Sequence, residues 1–312
     1  AGAGGKGEPS VKGKVVAAVE MGGTTSIVAV ASAEDPTEIF DRLEIPTEDP
    51  EKTLGALAEW LDRKTFHALG VATFGPIDVK KGSKTYGFIT NTPKTLFRNH
   101  DILSHFSRFP VPLAFDTDVN APALSELAFG SLPGSPASAA YVTVGTGVGV
   151  GIVVNGSPVH GLMHPEAGHV PVARMEGDAY EGGCSFHGGR CAEGMASSAS
   201  IAARAGIERS KLRELGDDDA VWDVEAFYLA QVCVSVALIA SPEVIVFGGG
   251  VMKRKCLIGL VRKHFLELLN GYIGVEKVTK HVDQYIVLSK NDAAGLVGAV
   301  EIGRRALIES MT

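Results

Sequence analysis

The sequence predicts a mixed α/β protein built from two similar halves. Its length of 312 residues corresponds to two domains at about 150 residues per domain. Short apolar runs of strand length alternate with segments of helical periodicity. One arrangement, in which a strand, a Gly/Thr turn and a second strand follow each other, occurs at Val15–Ala31 and again at Ala139–Val154. These observations together indicate an α/β chain with weak internal symmetry.

The first half is predicted to contain five strands and two helices. The turn Gly22-Gly23-Thr24 ends the first strand, and Leu54, Leu57 and Leu61 give one segment a helical spacing. A second helix is expected after Asp116–Asn120, with Pro122 in its first turn, where proline is tolerated. The predicted strands are Val15–Glu20, Ser26–Ala31, Ile39–Ile45, Ala68–Thr73 and Val111–Phe115, and the first helix is Glu51–Asp62.

The second half opens on the repeated hairpin and continues with long helices. Strands are predicted at Ala139–Val144 and Val148–Val154, on either side of Gly145-Thr146-Gly147. A long apolar helix over Val224–Ile239 precedes a short strand, Val244–Phe247, which runs into three glycines. A closing helix rich in small residues is expected over Asn291–Leu307.

Composition limits the kind of protein this is. Hydrophobic residues make up 45% and charged residues 21% of the chain, which is ordinary for a globular protein and argues against extended disorder. The net charge of −7 without basic blocks argues against nucleic acid or an anionic membrane as the main partner. We expect residues 1–13 to be a flexible tail. No membrane span or signal peptide is recognised, so a cytoplasmic location is predicted, and the four cysteines are not expected to form disulfides.

Three Gly/Thr-rich turns follow predicted strands, at Gly22–Thr25, Gly145–Gly147 and Gly248–Gly250. Such turns let backbone N–H groups approach an anion, and threonine hydroxyls add donors. The Walker and dinucleotide-binding patterns are both absent from the sequence. Phosphate bound between hairpin turns of the two halves is therefore predicted. The alternative is that these segments are plain hairpin turns.

Asp118 lies where a predicted strand gives way to a helix. A helix N-terminus favours an ionised carboxylate, and an ionised carboxylate can accept a proton from an attacking hydroxyl. In phosphoryl transfer, one such base together with Mg²⁺ and phosphate donors can suffice. The alternative is that Asp116 or Asp118 only caps the helix.

Four candidate metal ligands, His169, Cys184, His187 and Cys191, follow the spacing H-x14-C-x2-H-x3-C. Short-spaced ligands joined by a loop are typical of a tetrahedral structural zinc site, so we predict zinc here rather than a chance grouping. The pattern is not that of zinc metalloproteases. Glu166 and Glu193 flank these residues, where they can hydrogen-bond sugar hydroxyls or remain solvated surface charges.

Several motifs in the same order resemble the ROK sugar kinases, of the hexokinase/actin-like ATPase superfamily. Those motifs are Glu20–Thr24, Asp116–Ala121, Val144–Gly147, His164–His169, Cys184–Glu193 and Phe247–Val251. Within the family, Ser83–Gly87, Thr92-Pro-Lys94 and the Cys-x2-His loop are most similar to the zinc-containing ROK fructokinases. The resemblance runs from about Val15 to Ile308. It implies a two-domain actin-like ATPase, or ribonuclease H-like, fold with an interdomain cleft. We expect a small domain of residues 14–115 plus 292–312 and a large domain of residues 116–291.

The resemblance also implies an activity, namely ATP- and Mg²⁺-dependent phosphorylation of the 6-hydroxyl of D-fructose by a homodimer. Asp118 would be the general base, and the metal ligands would hold a structural Zn²⁺. The positions matching the family's sugar contacts are Asn120, Glu166, His169 and Glu193. Those matching its ATP contacts are Gly22, Gly23, Thr24, Thr25, Thr143, Gly145, Thr146, Gly147, Gly248, Gly249 and Gly250.

Two departures and three alternatives accompany this interpretation. Thr25 stands where the family often has lysine, and Met21 stands where it more often has alanine. One alternative is a ROK hexokinase that prefers mannose, glucose or N-acetylmannosamine. A second is a non-catalytic sugar-binding regulator, which is disfavoured because about a dozen residues precede Val15, too few for a helix-turn-helix. A third, a scaffold with the same fold, leaves Glu166, His169 and Glu193 unexplained.

Overall fold

The computed structural model describes residues 10–130 and 132–312. Most of the predicted flexible tail, residues 1–9, lies outside the described part of the chain. The contacts divide the described chain into two units. The first contains the residues up to Ser125 together with Ala293–Thr312, and the second contains Glu126–Asp292.

The described residues of the first unit form a five-stranded sheet, a two-stranded sheet and three helices. Helix α1 begins after Asp49, whose side chain accepts a hydrogen bond from the Lys52 backbone, as an N-cap does. Helix α2 begins in this unit and ends in the second. The elements are β1 (Val15–Met21), β2 (Thr25–Ser32), β3 (Ile39–Pro46), α1 (Pro50–Leu61), β4 (Ala68–Thr73), β5 (Phe88–Ile89), β6 (His100–Asp101), β7 (Leu113–Thr117), α2 (Asn120–Phe129) and α9 (Ala294–Met311), with 3₁₀ turns at Thr95–Phe97 and Leu103–His105.

The strand order of the larger sheet is β3-β2-β1-β4-β7. Strands β1, β4 and β7 are parallel, with Val19 opposite Val71 and Val71 opposite Phe115. Because the carboxyl ends of parallel strands meet at one edge of a sheet, the segments after Met21, Thr73 and Thr117 lie along the same edge.

Helix α9 packs against this sheet so closely that some positions exclude any side chain. A Cβ at Gly70 in β4 would overlap the carbonyl oxygen of Ala299, and one at Gly298 would overlap the carbonyl oxygen of Ala121. The second contact joins the start of α2 to α9. The first unit therefore continues to Ser125, past the predicted boundary after residue 115.

In the second unit, the described residues form one five-stranded sheet and a group of helices. Its longest helix, α5, packs against α6 and α3 and carries many of the core residues. The elements are β8 (Ala139–Val144), β9 (Val148–Val154), β10 (Ser157–Pro158), α3 (Ala192–Ala196), α4 (Ser198–Ala205), α5 (Val221–Ile239), β11 (Val244–Gly248), α6 (Lys255–Leu269), α7 (Glu276–Thr279), α8 (Val282–Tyr285) and β12 (Ile286–Leu288), with 3₁₀ turns at Ala167–His169, Arg209–Glu214 and Val251–Lys253.

The two large sheets share one topology. The second has the order β10-β9-β8-β11-β12, in which an antiparallel hairpin precedes parallel strands, as in the first sheet. The predicted α/β class with two similar halves, each opening on a Gly/Thr hairpin, is thereby confirmed.

Helix α5 also has the length and apolar composition that a membrane-spanning helix needs. Its most apolar 18-residue window has a mean hydropathy of 1.5, and 56% of that window is buried within the protein. The core helix of a globular unit has the same properties. Its buried face includes Trp222, Tyr228 and Leu229, which belong to the protein core.

We predict that Gly70→Ala destabilises the first unit by about 1–3 kcal/mol, because the added methyl group displaces α9 from β4. The matched control is Gly55→Ala in α1, where a Cβ meets nothing within 4 Å. Gly55→Ala should be neutral or stabilising by up to about 1 kcal/mol. Urea unfolding of both variants measures the difference, and equal unfolding midpoints would contradict the close approach.

Candidate functional site

The first Gly/Thr turn lies at the carboxyl end of β1 and is held by its own backbone and by Thr47. The Gly22 N–H donates to the carbonyl of Thr25 over 2.9 Å, and the Thr47 hydroxyl donates to the carbonyl of Gly22 over 2.8 Å. The backbone N–H groups of Gly23 and Thr24 donate to no atom of the described residues. A rigid turn with free N–H groups is suited to binding an anion.

Asp118 follows β7 at the same sheet edge. Its backbone N–H donates to the carbonyl of Thr73 over 2.9 Å, which fixes it beside the end of β4. Within the described chain, its carboxylate makes no hydrogen bond to another residue. Burial raises the pKa of Asp118 to about 7, although the residue retains some exposed surface. This carboxylate is therefore available to a ligand and changes its charge near neutral pH.

The hydrogen bonds observed at the start of α2 involve the neighbours of Asp118. The Thr117 hydroxyl accepts a hydrogen bond from the Asn120 backbone over 2.9 Å at the start of α2. The buried Asp116 carboxylate accepts from the Asn120 amide over 2.8 Å and from the Thr117 N–H over 2.7 Å. Asn120, a predicted sugar contact, is buried with its amide engaged in this way.

Glu20 is a second carboxylate at this edge, and it was not among the predicted site residues. It lies in β1 opposite Ala72, and a Cβ at Gly295, in the first turn of α9, would overlap its carboxylate. Burial, followed by the charges of Asp118 and Glu44, raises the pKa of Glu20 to about 7. The signal in the sequence was a carboxylate near the end of an apolar strand, two residues before Gly22. Only the fold reveals its electrostatic interaction with Asp118.

Lys94 is a cation beside the first Gly/Thr turn. A Cβ at Gly23 would lie 3.4 Å from Cε of Lys94, and the ammonium Nζ lies 5.8 Å from the centroid of the Phe74 ring. Among the described residues, no carboxylate lies within 4.0 Å of this ammonium group. The turn therefore has a lysine beside it, although Thr25 occupies the position where the sequence motif led us to look for one.

The four predicted metal ligands converge in the second unit. The candidate ligand atoms of His169, Cys184, His187 and Cys191 all lie within 4.8 Å of one another. Cys184 Sγ lies 3.8 Å from Nδ1 of His169 and 3.5 Å from Nδ1 of His187, and Cys191 Sγ lies 3.6 Å from Nδ1 of His169. In a tetrahedral zinc site, Zn–S bonds are about 2.3 Å and Zn–N bonds about 2.0–2.1 Å long, so a bound sulfur and a bound nitrogen lie about 3.6 Å apart.

A network of hydrogen bonds anchors the chain segment before this loop. Arg204 of α4 forms a two-bond ion pair with Asp178, at 2.8 and 3.1 Å, and the Tyr228 hydroxyl donates to the same carboxylate over 2.6 Å. Burial alone would raise the pKa of Asp178, but the hydrogen bonds from Arg204 and Tyr228 outweigh it and lower the pKa to about 2. Arg174 in turn donates to the carbonyls of Asp178 and Tyr180.

Glu193 connects the metal-ligand group to the second Gly/Thr turn. Its Oε1 lies 3.7 Å from Nε2 of His169, while its Oε2 accepts a hydrogen bond from the Val148 N–H over 3.2 Å. A Cβ at Gly147 would overlap this carboxylate. Close packing also fixes His169, because a Cβ on its neighbour Gly168 would overlap the Val148 carbonyl. One side of the His169 ring therefore faces the cysteines and the other faces Glu193.

The remaining predicted residues of this unit lie at or near the same edge of the second sheet. The Thr146 and Gly147 N–H groups donate to no atom within the described ranges. A Cβ at Gly249 would lie 2.9 Å from the hydroxyl of Thr143, so the Gly248–Gly250 loop lies against the end of β8. Glu166 precedes the Ala167–His169 turn, with its Oε1 3.6 Å from Nδ1 of the buried His164.

The chain is similar to known proteins over most of its length. A sequence model of the ROK family matches residues 16–306. The fructokinase of Zymomonas mobilis is 36% identical over 301 residues, which cover 94% of this chain and 97% of the relative. The fructokinase of Streptococcus mutans is 38% identical over 277 residues, which cover 86% of this chain and 91% of the relative.

Solved structures show the same fold. A ROK family glucokinase from Streptomyces griseus, in complex with glucose and AMPPNP, superposes with a TM-score of 0.71 at 22% identity, covering 93% of this chain and 99% of the other. A ROK family protein from Streptococcus pneumoniae, in complex with sucrose, also gives a TM-score of 0.71, at 20% identity, covering 95% of this chain and 99% of the other. The actin-like ATPase fold expected from the sequence is confirmed.

Proposed function

The chain belongs to the ROK family, and we propose that it is a fructokinase that transfers the γ-phosphoryl group of ATP to the 6-hydroxyl of D-fructose. Relatives that are fructokinases match most of the chain at 36–38% identity, which supports a sugar kinase and, more narrowly, this substrate. The observation that carries the proposal is the carboxylate of Asp118, which lies at a sheet edge free of hydrogen bonds to other described residues and has a pKa near 7.

Asp118 is the general base of the proposed reaction. Its carboxylate takes the proton of the 6-hydroxyl as that oxygen forms a bond to the γ-phosphorus. The bond between the γ-phosphorus and the β,γ-bridging oxygen breaks, and ADP leaves with the electron pair. A pKa near the working pH combines a substantial ionised fraction with useful basicity.

The Gly/Thr turns are the proposed phosphate-binding elements. The free N–H groups of Gly23, Thr24, Thr146 and Gly147 offer donors to phosphate oxygens, and the Gly248–Gly250 loop would contact the adenosine. Lys94 supplies the positive charge at the first turn that Thr25 does not provide. Glu20 is suited to Mg²⁺ because its carboxylate offers oxygen ligands, which this ion prefers. Burial and the charge of Asp118 raise the pKa of Glu20, so a bound cation would favour its ionised form. When bound, Mg²⁺ neutralises phosphate charge.

The proposed sugar contacts are Asn120, Glu166, His169 and Glu193. The His169 ring presents Nδ1 to the cysteines, which leaves Nε2, beside Glu193, for a sugar hydroxyl. The sulfur–nitrogen distances of 3.5–3.8 Å fit Zn²⁺ held by His169, Cys184, His187 and Cys191. Four protein ligands fill a tetrahedral site, so this zinc would be structural. A homodimer, a cytoplasmic location and the lack of nucleic-acid or membrane partners remain predictions.

The proposal is tested by an ADP-release assay with Mg²⁺ across fructose, mannose, glucose and N-acetylmannosamine. We expect the highest kcat/KM with fructose. A preference for another hexose would support a sugar kinase whose substrate is not fructose. A protein that leaves ATP intact with all four sugars, yet binds one of them by calorimetry, would instead be a non-catalytic sugar-binding protein.

We predict that Asp118→Asn lowers kcat by about 10²–10⁴-fold, because the amide cannot accept the proton. The fold and the affinity for fructose should be retained, as judged by circular dichroism and calorimetry. In the wild type, kcat/KM should rise with pH through about 7, the pKa of Asp118 in the free enzyme, because only the carboxylate form is active. Wild-type turnover by the variant would eliminate Asp118 as the base.

We predict that Lys94→Met lowers kcat/KM for ATP by about 10- to 100-fold, as expected for a lost hydrogen bond to a charged group. Adding Thr25→Lys to this variant should restore part of the loss, because it returns a cation to the same turn. Lys84→Met, an exposed lysine of the same segment, is the matched control and should behave as wild type. Identical ATP kinetics for the Lys94 and Lys84 variants would exclude this role.

We predict that Cys184→Ala removes the bound zinc and weakens fructose binding, because His169 then lacks a metal to fix its ring. Metal content is measured by mass spectrometry and fructose affinity by calorimetry. Cys256→Ala, at a half-buried thiol outside the ligand group, should retain both properties. A Cys184 variant with full metal content would refute the ligand assignment.

A further inference from the structure

A second group of potential metal ligands lies in the first unit. His100 belongs to β6, His105 ends the 3₁₀ turn Leu103–His105, and Glu51 lies in the first turn of α1. Glu51 is far from the two histidines in sequence, so only the fold brings the three side chains together. No sequence pattern pointed to this group.

The geometry of the group suits a single ion. Nε2 of His100 and Nε2 of His105 lie 3.1 Å apart, and the two rings are stacked with centroids 5.3 Å apart and an interplanar angle of 30°. One ligand atom from each of Glu51, His100 and His105 lies within 4.8 Å of the other two. Two nitrogens bonded to one ion at about 2.0–2.1 Å lie about 2.9–3.4 Å apart at octahedral or tetrahedral angles.

The three side chains are not committed to other partners. Apart from the contact between the two rings, the described residues form no hydrogen bond or ion pair with any of them. Neighbouring acids differ in this respect, because Glu48 pairs with Lys52 and Asp101 accepts a hydrogen bond from the Ser104 N–H over 3.0 Å. Both imidazoles are half-buried and Glu51 is exposed, so an ion can enter from solvent and retain water ligands.

From this juxtaposition we propose that Glu51, His100 and His105 form a binding site for a divalent transition-metal ion such as Zn²⁺ or Ni²⁺. Two imidazoles and one carboxylate suit these ions, whereas Mg²⁺ and Ca²⁺ prefer sites made of oxygen ligands. The ion would tie the first turn of α1 to the segment between β4 and β7, which also carries Lys94. The site is separate from the Cys/His group and does not depend on the proposed function.

The test uses the full chain, without a polyhistidine tag, dialysed against micromolar Zn²⁺ and analysed for metal content. The wild type should hold one more zinc ion per chain than His105→Ala or His100→Ala, and Glu51→Gln should weaken this additional binding by about tenfold or more. His281→Ala, at an exposed histidine outside the group, is the matched control and should bind as the wild type does. Because binding stabilises the folded state, added Zn²⁺ should raise the wild-type Tm more than that of the His105 variant.

Unfolding profiles in the presence of a chelator establish that each variant folds. Equal zinc content in the wild type and the folded His105→Ala variant would overturn the proposal. The two imidazoles would then only hydrogen-bond to each other. Additional zinc that is lost equally from the His105 and His281 variants would identify an adventitious surface ion only, and would also overturn it.

Discussion

The candidate site depends on backbone segments that approach each other more closely than a side chain allows. In the first unit, α9 rests on β4 at Gly70, so the carboxyl edge of the sheet and the start of α9 occupy fixed positions. In the second unit, the 3₁₀ turn carrying His169 rests on the start of β9 at Gly168. Because these backbone segments are in direct contact, close packing helps to hold the side chains attached to them in place.

The two sheets share a strand order but carry different chemistry at their carboxyl edges. Each offers a hairpin turn with backbone N–H groups that no described residue uses. The first edge adds the acids Glu20 and Asp118 and the cation Lys94, whereas the second adds Glu193 and the Cys/His group. A repeated backbone thus supplies two similar turns that we propose bind phosphate, while the side chains that follow them would determine the separate contributions of each unit to the proposed reaction.

The sequence was most informative where burial and turn chemistry agree. Ala68–Thr73, Ala139–Val144 and Val148–Val154 were predicted with the boundaries that the structure has, since each is an apolar run bounded by polar, glycine or turn residues. The strands β5, β6, β10 and β12 were not predicted, because they are two or three residues long and tertiary pairing determines them.

Spacing also predicted the Cys/His group. The positions of Lys94 and Glu20, and of His105 beside His100, depend on neighbours distant in sequence or on local loop geometry, which no spacing encodes.

The acids of the first unit also link proton transfer to ligand binding. Glu20 and Asp118 both have pKa values near 7, and the charge of Asp118 contributes to the shift of Glu20. Burying two like charges without a counter-charge is unfavourable, so in the free protein at least one of them tends to hold a proton near pH 7. A cation bound at Glu20, as proposed, would reduce that cost and let both carboxylates ionise. In the proposed kinase, arrival of the magnesium nucleotide would therefore favour the ionised form of the base and couple readiness for proton transfer to the presence of the phosphoryl donor.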